Sequence, residues 1–387
     1  MDTSLLRCRA VIDLDALKHN FFKIKAAAEH KKIIAVVKAN AYGHGVSHIC
    51  PCLSEMGADM FAVSSLTEAL EIRRFDRTTP ILILGYTVEK AAKVLSENGI
   101  IQTVYSMDYA KTLSKQAQEQ GCKIDCHIAL DCGMGRIGFT CTKEGIDEAY
   151  NACQLPSLQV KGVFTHFPSA DFDNDESGEK TRMQYEKFIS SVNELEGRGI
   201  TFEMKHAANS AAILSKEYTH LDAVRAGIIL YGHAPSKALN GAFDLKPVMS
   251  LKTLVAQVKT IHKGDTVSYG MTFTAERDMK IATLAIGYAD GYPRALAENA
   301  VFTINGYTAR IVGRVCMDQL MVDVSHIPFV KRGDEAVAIG EEENSAEALA
   351  DMMNTINYEV ICGISHRVPR VYYKDGKEID FVSYLEA

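Results

Sequence analysis

Short buried strands that alternate with amphipathic helices are the feature that most constrains how this chain can fold. Eight apolar runs, rich in β-branched residues, recur over roughly 200 residues, and stretches with helical periodicity separate most of them. Eight strand–helix units in series predict an α/β fold, a (β/α)8 TIM barrel. The predicted strands are Ile33–Val37, Met60–Val63, Ile81–Leu84, Ile101–Tyr105, Ile124–Leu130, Val160–Phe164, Phe202–Lys205 and Leu221–Val224.

A doubly wound open sheet is the alternative for such an alternation. That fold usually has fewer strands and a Gly-rich turn after its first strand, so the number of strands favours the barrel. Ahead of the barrel, Arg9–Leu14 has a strand pattern, and Asp15 is predicted to cap a helix that continues to about Glu29.

The pattern changes from about Gly241, where short strands follow one another at roughly ten-residue spacing and turn signals divide them. This predicts an all-β C-terminal domain, interrupted by one helix at Ala346–Met353. We expect the barrel domain to cover residues 10–240 and the β domain residues 241–387, with residues 1–9 joining the β domain. Its predicted strands are Leu251–Ile261, Lys280–Ile286, Ala300–Ile304, Thr308–Val312, Gln319–Val324 and Glu335–Ile339.

Composition narrows the classes of function. A net charge of −7 and a pI near 6.0 argue against nucleic acid and anionic membrane as partners. The start of the chain lacks a signal-peptide pattern and no run of about 18 apolar residues occurs, so we expect a cytoplasmic protein. The ten cysteines follow no disulfide-like or zinc-like spacing, which predicts free thiols and no metal site.

Lys38 ends the first predicted barrel strand, at the position where barrels place their chemistry. Desolvation there would lower the pKa of the amine and make it a nucleophile or base. The simpler interpretation is a lysine at the end of a strand that reaches into solvent. Polar residues also follow four other strands, and the carboxyl ends of barrel strands meet at one mouth. These sets are Asp131–Arg136, Thr165–Phe167, His206–Ser210 and Arg225–Ile228.

Two of these sets suit a phosphate. Asn209–Ser210 and Gly227–Ile228 each place amide donors beside a small residue, near strands seven and eight. A lysine on strand one that faces such a site suggests a phosphorylated aldehyde cofactor bound to its amine. The residues by themselves do not name the reaction.

Nine motifs in the chain resemble those of the bacterial alanine racemases, and they follow the family order from about residue 8 to about residue 375. The resemblance implies a (β/α)8 barrel, a C-terminal β domain and the cofactor pyridoxal 5′-phosphate. The motifs are Val36–Gly45, Gly133–Gly138, Thr165–Phe167, Asn209–Ala212, Arg225–Ile228, Ser268–Gly270, Gly287–Gly291, Gly313–Asp318 and Arg367–Arg370.

The resemblance also implies a site shared between two subunits of a homodimer. Lys38 would carry the cofactor and exchange the α-proton of the amino acid on one face. Tyr269 would act on the opposite face and, like the backbone N–H of Met317, would come from the partner subunit. Arg136 and Met317 would hold the substrate carboxylate. Racemisation through a planar carbanion needs one base on each face, so two unlike bases are chemically reasonable.

The cofactor site that the resemblance implies draws on several barrel strands. His166 would pack on the pyridine ring and Arg225 would face the pyridine nitrogen. Because arginine keeps its proton, that nitrogen would stay unprotonated and the ring would be a weaker electron sink, which suppresses transamination. The expected cofactor-binding residues are Lys38, Tyr42, His166, Asn209, Ser210, Arg225, Gly227 and Ile228.

Two positions depart from the family pattern. Ala129 stands where relatives usually have a lysine, often carbamylated, beside the substrate-binding arginine, so we expect a chloride or other small anion beside Arg136 instead. His366 stands where many relatives have tyrosine, in the substrate corridor that Tyr288 also lines. A shorter polar side chain would admit a hydroxymethyl group, so we expect serine racemisation alongside that of alanine.

The favoured reading is an alanine racemase that supplies D-alanine for cell-wall peptidoglycan. A serine or broad-specificity racemase is the nearest alternative, but such relatives usually carry a membrane domain or an export signal. A non-catalytic pyridoxal-phosphate carrier resembles the barrel alone and needs no second base. A related decarboxylase is disfavoured, because its specificity helix and catalytic cysteine context are not recognisable here.

Overall fold

The computed structural model describes residues 3–29, 31–171, 175–340 and 342–385. The chain divides into two compact units, of which one comprises Lys18–Ala41 and Val46–Lys246. The second comprises the chain up to Leu17, the short segment Tyr42–Gly45 and the chain from Pro247 onwards. The expected domain boundaries were residues 10 and 240, whereas the two units divide after Leu17 and after Lys246.

The first unit, the barrel unit, is a closed barrel of eight parallel strands. Each strand pairs with its neighbours, and the ring closes where Val224 of the eighth strand lies opposite Ile33 of the first. Several strands are buried along their whole length, so the interior is a packed core. The predicted TIM barrel is confirmed. Its strands, first to eighth, are Lys32–Val36, Met60–Val63, Ile81–Ile83, Ile100–Val104, Ile124–Asp131, Leu158–Phe164, Met204–His206 and Ala223–Ala226.

Helices follow most of the barrel strands, and polar caps define where several begin. Ser106 and Thr142 each accept a hydrogen bond from the amide three residues later, which satisfies a donor at the helix start. The α-helices up to the end of the barrel unit are Leu14–Ala27, Val46–Glu55, Leu66–Ile72, Ala92–Glu97, Met107–Glu119, Lys143–Cys153, Asp175–Gly197 and Ser210–Ser215.

The cap of the first helix was predicted at the wrong residue. Helix Leu14–Ala27 begins after Asp13, whose Oδ1 accepts from the amides of Asp15 (2.8 Å) and Ala16 (3.0 Å). Asp13 is therefore the cap, and Asp15 lies in the first turn, where its charge favours the helix dipole.

The second unit, the β unit, is built on a sheet of nine strands. Its longest strand, Met249–Ile261, pairs with the strands Cys8–Asp13, Met279–Leu284 and Glu335–Ile339. The predicted all-β C-terminal domain is confirmed, with two short helices, Ala346–Met352 and Asn357–Cys362. The remaining strands of the sheet are Val301–Ile304, Tyr307–Arg310, Leu320–Asp323, Arg370–Lys374 and Lys377–Val382.

The strand Cys8–Asp13 explains why the division falls later than residue 10. It lies between Met249–Ile261 and Arg370–Lys374 in the sheet of the β unit, so the chain up to Leu17 belongs there. Among the described residues, no helix combines the length and the apolar character that crossing a membrane requires.

Candidate active site

Lys38 opens a left-handed turn directly after the first barrel strand. The four residues Ala39, Asn40, Ala41 and Tyr42 have φ angles between 52° and 54°, although none is glycine. Left-handed backbone costs an L-residue about 1–2 kcal/mol, and such strain collects at functional sites. The Lys38 side chain is half-buried. The strain therefore marks the segment that the sequence singled out.

Glu68, which the sequence analysis missed, holds this turn. Its Oε1 accepts from the Ala39 amide at 2.7 Å, and its Oε2 accepts from the Ser64 amide at 2.7 Å. Asn40 adds a bond across the turn, since its Oδ1 accepts from the Val46 amide at 2.9 Å. The spacing Ser65-x-x-Glu68 is a capping-box pattern, which would have drawn attention to Glu68 without revealing its contact with Ala39.

Arg225 lies on the eighth strand, not after it as expected, and it is fully buried. Its Nη2 donates to the carbonyls of Thr165 (2.8 Å) and Ala207 (2.9 Å), and its Nη1 donates to His206 Nδ1 at 2.8 Å. Burial and the nearby charge of Arg136 lower the pKa of Arg225 to about 9, so the group stays charged at neutral pH. Carbonyl and imidazole acceptors thus hold a cation at the ends of the barrel strands.

His206 ends the seventh strand and links Arg225 to the barrel interior. Because its Nδ1 accepts from Arg225, its Nε2 carries the proton and donates to His127 Nδ1 at 2.9 Å. Burial lowers the pKa of His206 well below its ordinary value and that of His127 to about 4. Both rings are therefore neutral. The hydrogen bond from Arg225 to His206, and the one from His206 to His127, fix their tautomers.

His166 lies among three cations. Burial and then the charges of Arg225, Arg136 and Lys38 lower its pKa to about 3, so the ring is neutral. Its Nδ1 lies 3.3 Å from Nη2 of Arg225. Lys38, Arg136 and Arg225 come from three different strand ends, yet the charge of each lowers the pKa of the same imidazole. The predicted convergence of the strand ends thus produces a positive site that suits an anionic ligand.

Two short helices begin side by side after the seventh and eighth strands. Ser210 begins the first of these helices, and Gly227 directly precedes the second. The Gly227 amide donates a hydrogen bond to the Ser210 Oγ at 2.9 Å. The Asn209 side chain caps the first helix through the Ala212 amide and donates to the Phe167 carbonyl. Asn209 therefore positions Ser210. Adjacent helix starts, here Ser210 and Ile228, offer backbone N–H groups to a phosphate.

Arg136 lies on a loop that Asp131 folds. Asp131 Oδ1 accepts from the amides of Gly133 (2.9 Å) and Gly135 (3.0 Å). A Cβ at Gly138, where φ is 135°, would lie 2.6 Å from the Asp131 nitrogen, so only glycine fits there. Arg136 is exposed and makes no ion pair or hydrogen bond with any residue in the described part of the chain. Ala129, on the fifth strand, is buried and offers no charge.

The β unit gathers three of the other predicted site residues on its surface. Tyr269 is 73% exposed, Met317 is 52% exposed and Tyr288 is 43% exposed. The amides of Tyr288 and Ala289 donate to the carbonyls of Cys316 and Met317, each at 3.0 Å, which ties the two segments together. Ser268, next to Tyr269, donates from its Oγ to the Arg314 carbonyl at 2.9 Å.

Tyr42 and His366 also lie in the β unit. The Tyr42 ring is buried 6.1 Å from that of Tyr358, and burial raises the pKa of its hydroxyl. The His366 ring stacks on Tyr384 with 4.6 Å between centroids, and the Arg370 guanidinium lies 5.5 Å from the centre of the same tyrosine ring. The sequence analysis did not identify Tyr384, since nothing in its local pattern points to a site.

The residues of the barrel unit fit a phosphorylated, electron-poor cofactor. Lys38 supplies an amine, Arg225 and Arg136 supply positive charge, and the Ser210 and Ile228 helix starts supply N–H donors. Nε of Arg225 makes no hydrogen bond with a described residue, which leaves one donor for a ligand acceptor. Together with the two folds, this donor set defines a barrel enzyme of the class that works with pyridoxal phosphate.

Comparison with known proteins identifies the family. Residues 12–235 match the model "Alanine racemase, N-terminal domain" and residues 248–372 match "Alanine racemase, C-terminal domain". The alanine racemase of Clostridium tetani is 47% identical over 381 residues, covering 97% of this chain and 98% of that protein. The chain belongs to the alanine racemase family.

Solved structures agree with this assignment. An alanine racemase of Clostridium difficile 630 superposes with a TM-score of 0.93 at 39% identity, covering 98% of this chain and 99% of that one. The Bacillus anthracis alanine racemase with bound L-Ala-P superposes with a TM-score of 0.91 at 37% identity, over 98% of each chain. The family is dependent on pyridoxal 5′-phosphate, so the predicted cofactor is confirmed at that level.

Proposed function

We propose that this protein interconverts L-alanine and D-alanine with pyridoxal 5′-phosphate bound at Lys38. The observation that carries the proposal is the gathering of Lys38, Arg136 and Arg225 around the neutral ring of His166. The proposal is supported by this arrangement, which offers an amine and two guanidinium groups to a phosphorylated cofactor and a carboxylate substrate. Matches to the family over nearly the whole chain support the same reaction.

Each residue of the barrel unit has a task in this proposal. The bound cofactor supplies an electron sink that acidifies the α-hydrogen of the amino acid. Lys38 Nζ takes or returns the α-proton on one face, and Arg136 holds the carboxylate. Ser210 and the Gly227–Ile228 turn bind the phosphate. Arg225, kept charged by its carbonyl acceptors, would face the pyridine nitrogen of the bound cofactor and would keep that nitrogen unprotonated.

The second base in this proposal is Tyr269 of the partner subunit in a homodimer. Its phenol and the neighbouring Met317 and Tyr288 are all exposed on the β unit, which is an unusual set of large apolar side chains for a surface with no partner. Ser268, directly before Tyr269, has a φ angle of 70°, so the exposed tyrosine follows a strained residue. A second chain would cover this surface and receive the tyrosine.

The test is loss of the enantiomeric excess of L-alanine, followed by chiral chromatography. The purified protein should form D-alanine, and Lys38→Ala should not. Lys32→Ala is the matched control, because Lys32 begins the same strand at its opposite end and is exposed. An inactive wild-type protein that nevertheless binds the cofactor would contradict the proposed reaction.

Serine racemisation is a second candidate activity, and His366 supports it. The imidazole stacks on Tyr384, so its orientation is restrained, and an imidazole is smaller than the phenol of a tyrosine. We expect His366→Tyr to lower the ratio of kcat/KM for serine to that for alanine. An unchanged ratio would mean that position 366 does not select the substrate.

An anion beside Arg136 is the remaining expectation for the substrate site. Arg136 has no acidic partner among the described residues and Ala129 provides none. We expect chloride there, so that bromide soaked into crystals would give an anomalous peak within contact of the guanidinium. Neither an anion nor a carboxylate at that position would contradict the expectation.

The biological setting follows from the same proposal. A cytoplasmic enzyme that makes D-alanine would supply peptidoglycan synthesis, so deletion of its gene should create a requirement for added D-alanine unless a second racemase is present. Growth of such a strain without D-alanine, in the absence of another racemase, would contradict this role. Cell fractionation tests the location directly.

A further inference from the structure

Two cysteines face each other across the base of the Arg136 loop. The fifth barrel strand pairs in parallel with the short strand Phe139–Thr140, with Leu130 opposite Phe139 and Asp131 opposite Thr140. One step further along this register, Cys132 comes opposite Cys141, and their Sγ atoms lie 3.1 Å apart. Neighbouring strands lie about 4.8 Å apart, which is within the Cα separation that a disulfide tolerates.

The two thiols have unequal surroundings. Cys132 is buried, whereas Cys141 is partly exposed. A hydrogen bond from the Cys132 thiol, with further help from Ser191 and Lys187 on helix Asp175–Gly197, lowers the pKa of Cys141 to about 7. The same hydrogen bond and burial raise the pKa of Cys132. Cys141 is therefore the thiolate that an oxidant reaches, and Cys132 is the thiol placed to resolve it.

Four other cysteines differ from Cys141 in their acidity. Burial raises the pKa of the thiols of Cys8, Cys50, Cys126 and Cys153, which makes them poor nucleophiles. The Cys132–Cys141 pair thus combines a close thiol partner with an accessible, acidic thiol.

The loop between the two cysteines carries Arg136. Asp131 already restrains the loop through hydrogen bonds from the Gly133 and Gly135 amides, so a movement at the ends of the loop would be transmitted to Arg136. A disulfide would draw the two sulfurs from 3.1 Å to about 2.05 Å. A displacement of about 1 Å in a substrate-positioning group can change a rate by about a hundredfold.

We propose that Cys132 and Cys141 form a redox site in which a hydroperoxide converts the dithiol to a disulfide and so impairs carboxylate binding by Arg136. The Cys141 thiolate attacks the peroxide, the O–O bond breaks, and a sulfenic acid and an alcohol or water result after proton transfer. The Cys132 thiol then attacks the sulfenic sulfur, the S–S bond forms and water leaves. Two thiols are oxidised and one peroxide is reduced. The effect on activity rests on the proposed role of Arg136.

The test treats the cofactor-loaded enzyme with hydrogen peroxide and maps its peptides by mass spectrometry. A peptide that joins Cys132 to Cys141, lighter by two hydrogen atoms, should appear and should disappear with dithiothreitol. We expect KM for L-alanine to rise by about tenfold on oxidation and to recover on reduction. Cys132→Ser and Cys141→Ser should each resist this change, whereas Cys122→Ser, a cysteine outside the pair, should behave like the wild type.

The outcomes separate this proposal from the proposed function. Absence of the joined peptide, or an equal rise in KM in Cys141→Ser, would overturn the redox site. A disulfide that forms without changing KM would overturn its link to Arg136. A reduced wild-type enzyme without racemase activity would contradict the proposed function instead, and the peptide map would still decide whether the dithiol is oxidised.

Discussion

At Arg225, a buried positive charge is stabilised without any carboxylate from the described residues. Three backbone carbonyls, those of Thr165, His206 and Ala207, accept from its two terminal nitrogens. The planar guanidinium can reach all of them at once, whereas an ammonium group is a single point. The residue therefore ties together the ends of the sixth, seventh and eighth strands and holds its own charge in place.

Arg225→Lys should accordingly damage both stability and activity. Each buried carbonyl that loses its donor costs about 1–3 kcal/mol, so we expect the free energy of unfolding to fall by at least that amount and kcat/KM to fall by about a hundredfold or more. Urea unfolding and alanine racemisation measure the two effects. Arg77→Lys, at an exposed position, is the control and should match the wild type. A fully active Arg225→Lys enzyme would show that geometry at this site is unimportant.

The left-handed turn after the first strand concentrates backbone strain in consecutive residues. Ala39 is exposed there, so replacing it removes no core packing. Ala39→Gly should raise the free energy of unfolding by up to about 1 kcal/mol, because glycine adopts a positive φ without penalty. Ala26→Gly, exposed near the end of helix Leu14–Ala27, should lower it by about 1 kcal/mol. Thermal or urea unfolding distinguishes the expected gain in stability from the expected loss. A lower free energy of unfolding in both variants would contradict the proposed strain at Ala39.

The sequence predicted best the strands whose apolar residues form a clear local pattern. The strands Met60–Val63 and Glu335–Ile339 have the bounds predicted, because local apolar patterns encode them. The hairpin formed by Arg370–Lys374 and Lys377–Val382 was missed, since its second strand is mostly exposed and charged. Glu68 was missed as a site residue for a different reason, because its acceptor role depends on Ala39, 29 positions away in the sequence.

The residues at the strand ends were predictable from the sequence, whereas the hydrogen bonds between them were not. Polar residues at or after the ends of buried strands were sufficient to predict that Lys38, Arg136, His166 and Arg225 lie near one another, because parallel strands in a barrel all end on the same side. The sequence could not predict that His206 links Arg225 to His127, because that chain of hydrogen bonds joins side chains from the fifth, seventh and eighth strands.

At the scale of the whole molecule, the buried histidines predict sensitivity to acid. Burial lowers the pKa of His127 to about 4 and that of His166 to about 3, both below the ordinary 6.5, and it lowers that of His206 as well. The unfolded chain therefore binds more protons than the folded chain below about pH 6.5, so stability falls as the pH falls from there toward 4.

Each of these histidines contributes up to about 1.4 kcal/mol per pH unit in that range. Urea unfolding at a series of pH values should show this slope. His127→Gln, which keeps a hydrogen-bonding group but does not titrate, should make the slope shallower. His262→Gln changes an exposed ring paired with Asp278 and should leave it nearly unaltered. Equal slopes in wild type and His127→Gln would contradict the burial argument.

The proposed shared site makes a quantitative prediction for mixed dimers. Lys38→Ala disables the barrel of its own chain, and Tyr269→Phe disables the base that this chain lends to its partner. When the two variants are co-expressed in equal amounts, half of the dimers are mixed, and each mixed dimer has one intact site of two. Activity should therefore recover to about a quarter of the wild-type value from two nearly inactive parents.

A second pair of variants makes this result specific to exchange between chains. Lys38→Ala and Arg136→Ala both alter the barrel, so every site in their mixed dimers keeps one defect and no activity should return. If each site instead lay within one chain, neither pair would recover, because every chain would carry a defect of its own. Recovery in the first pair and its absence in the second can therefore arise only when Tyr269 acts in the partner's barrel.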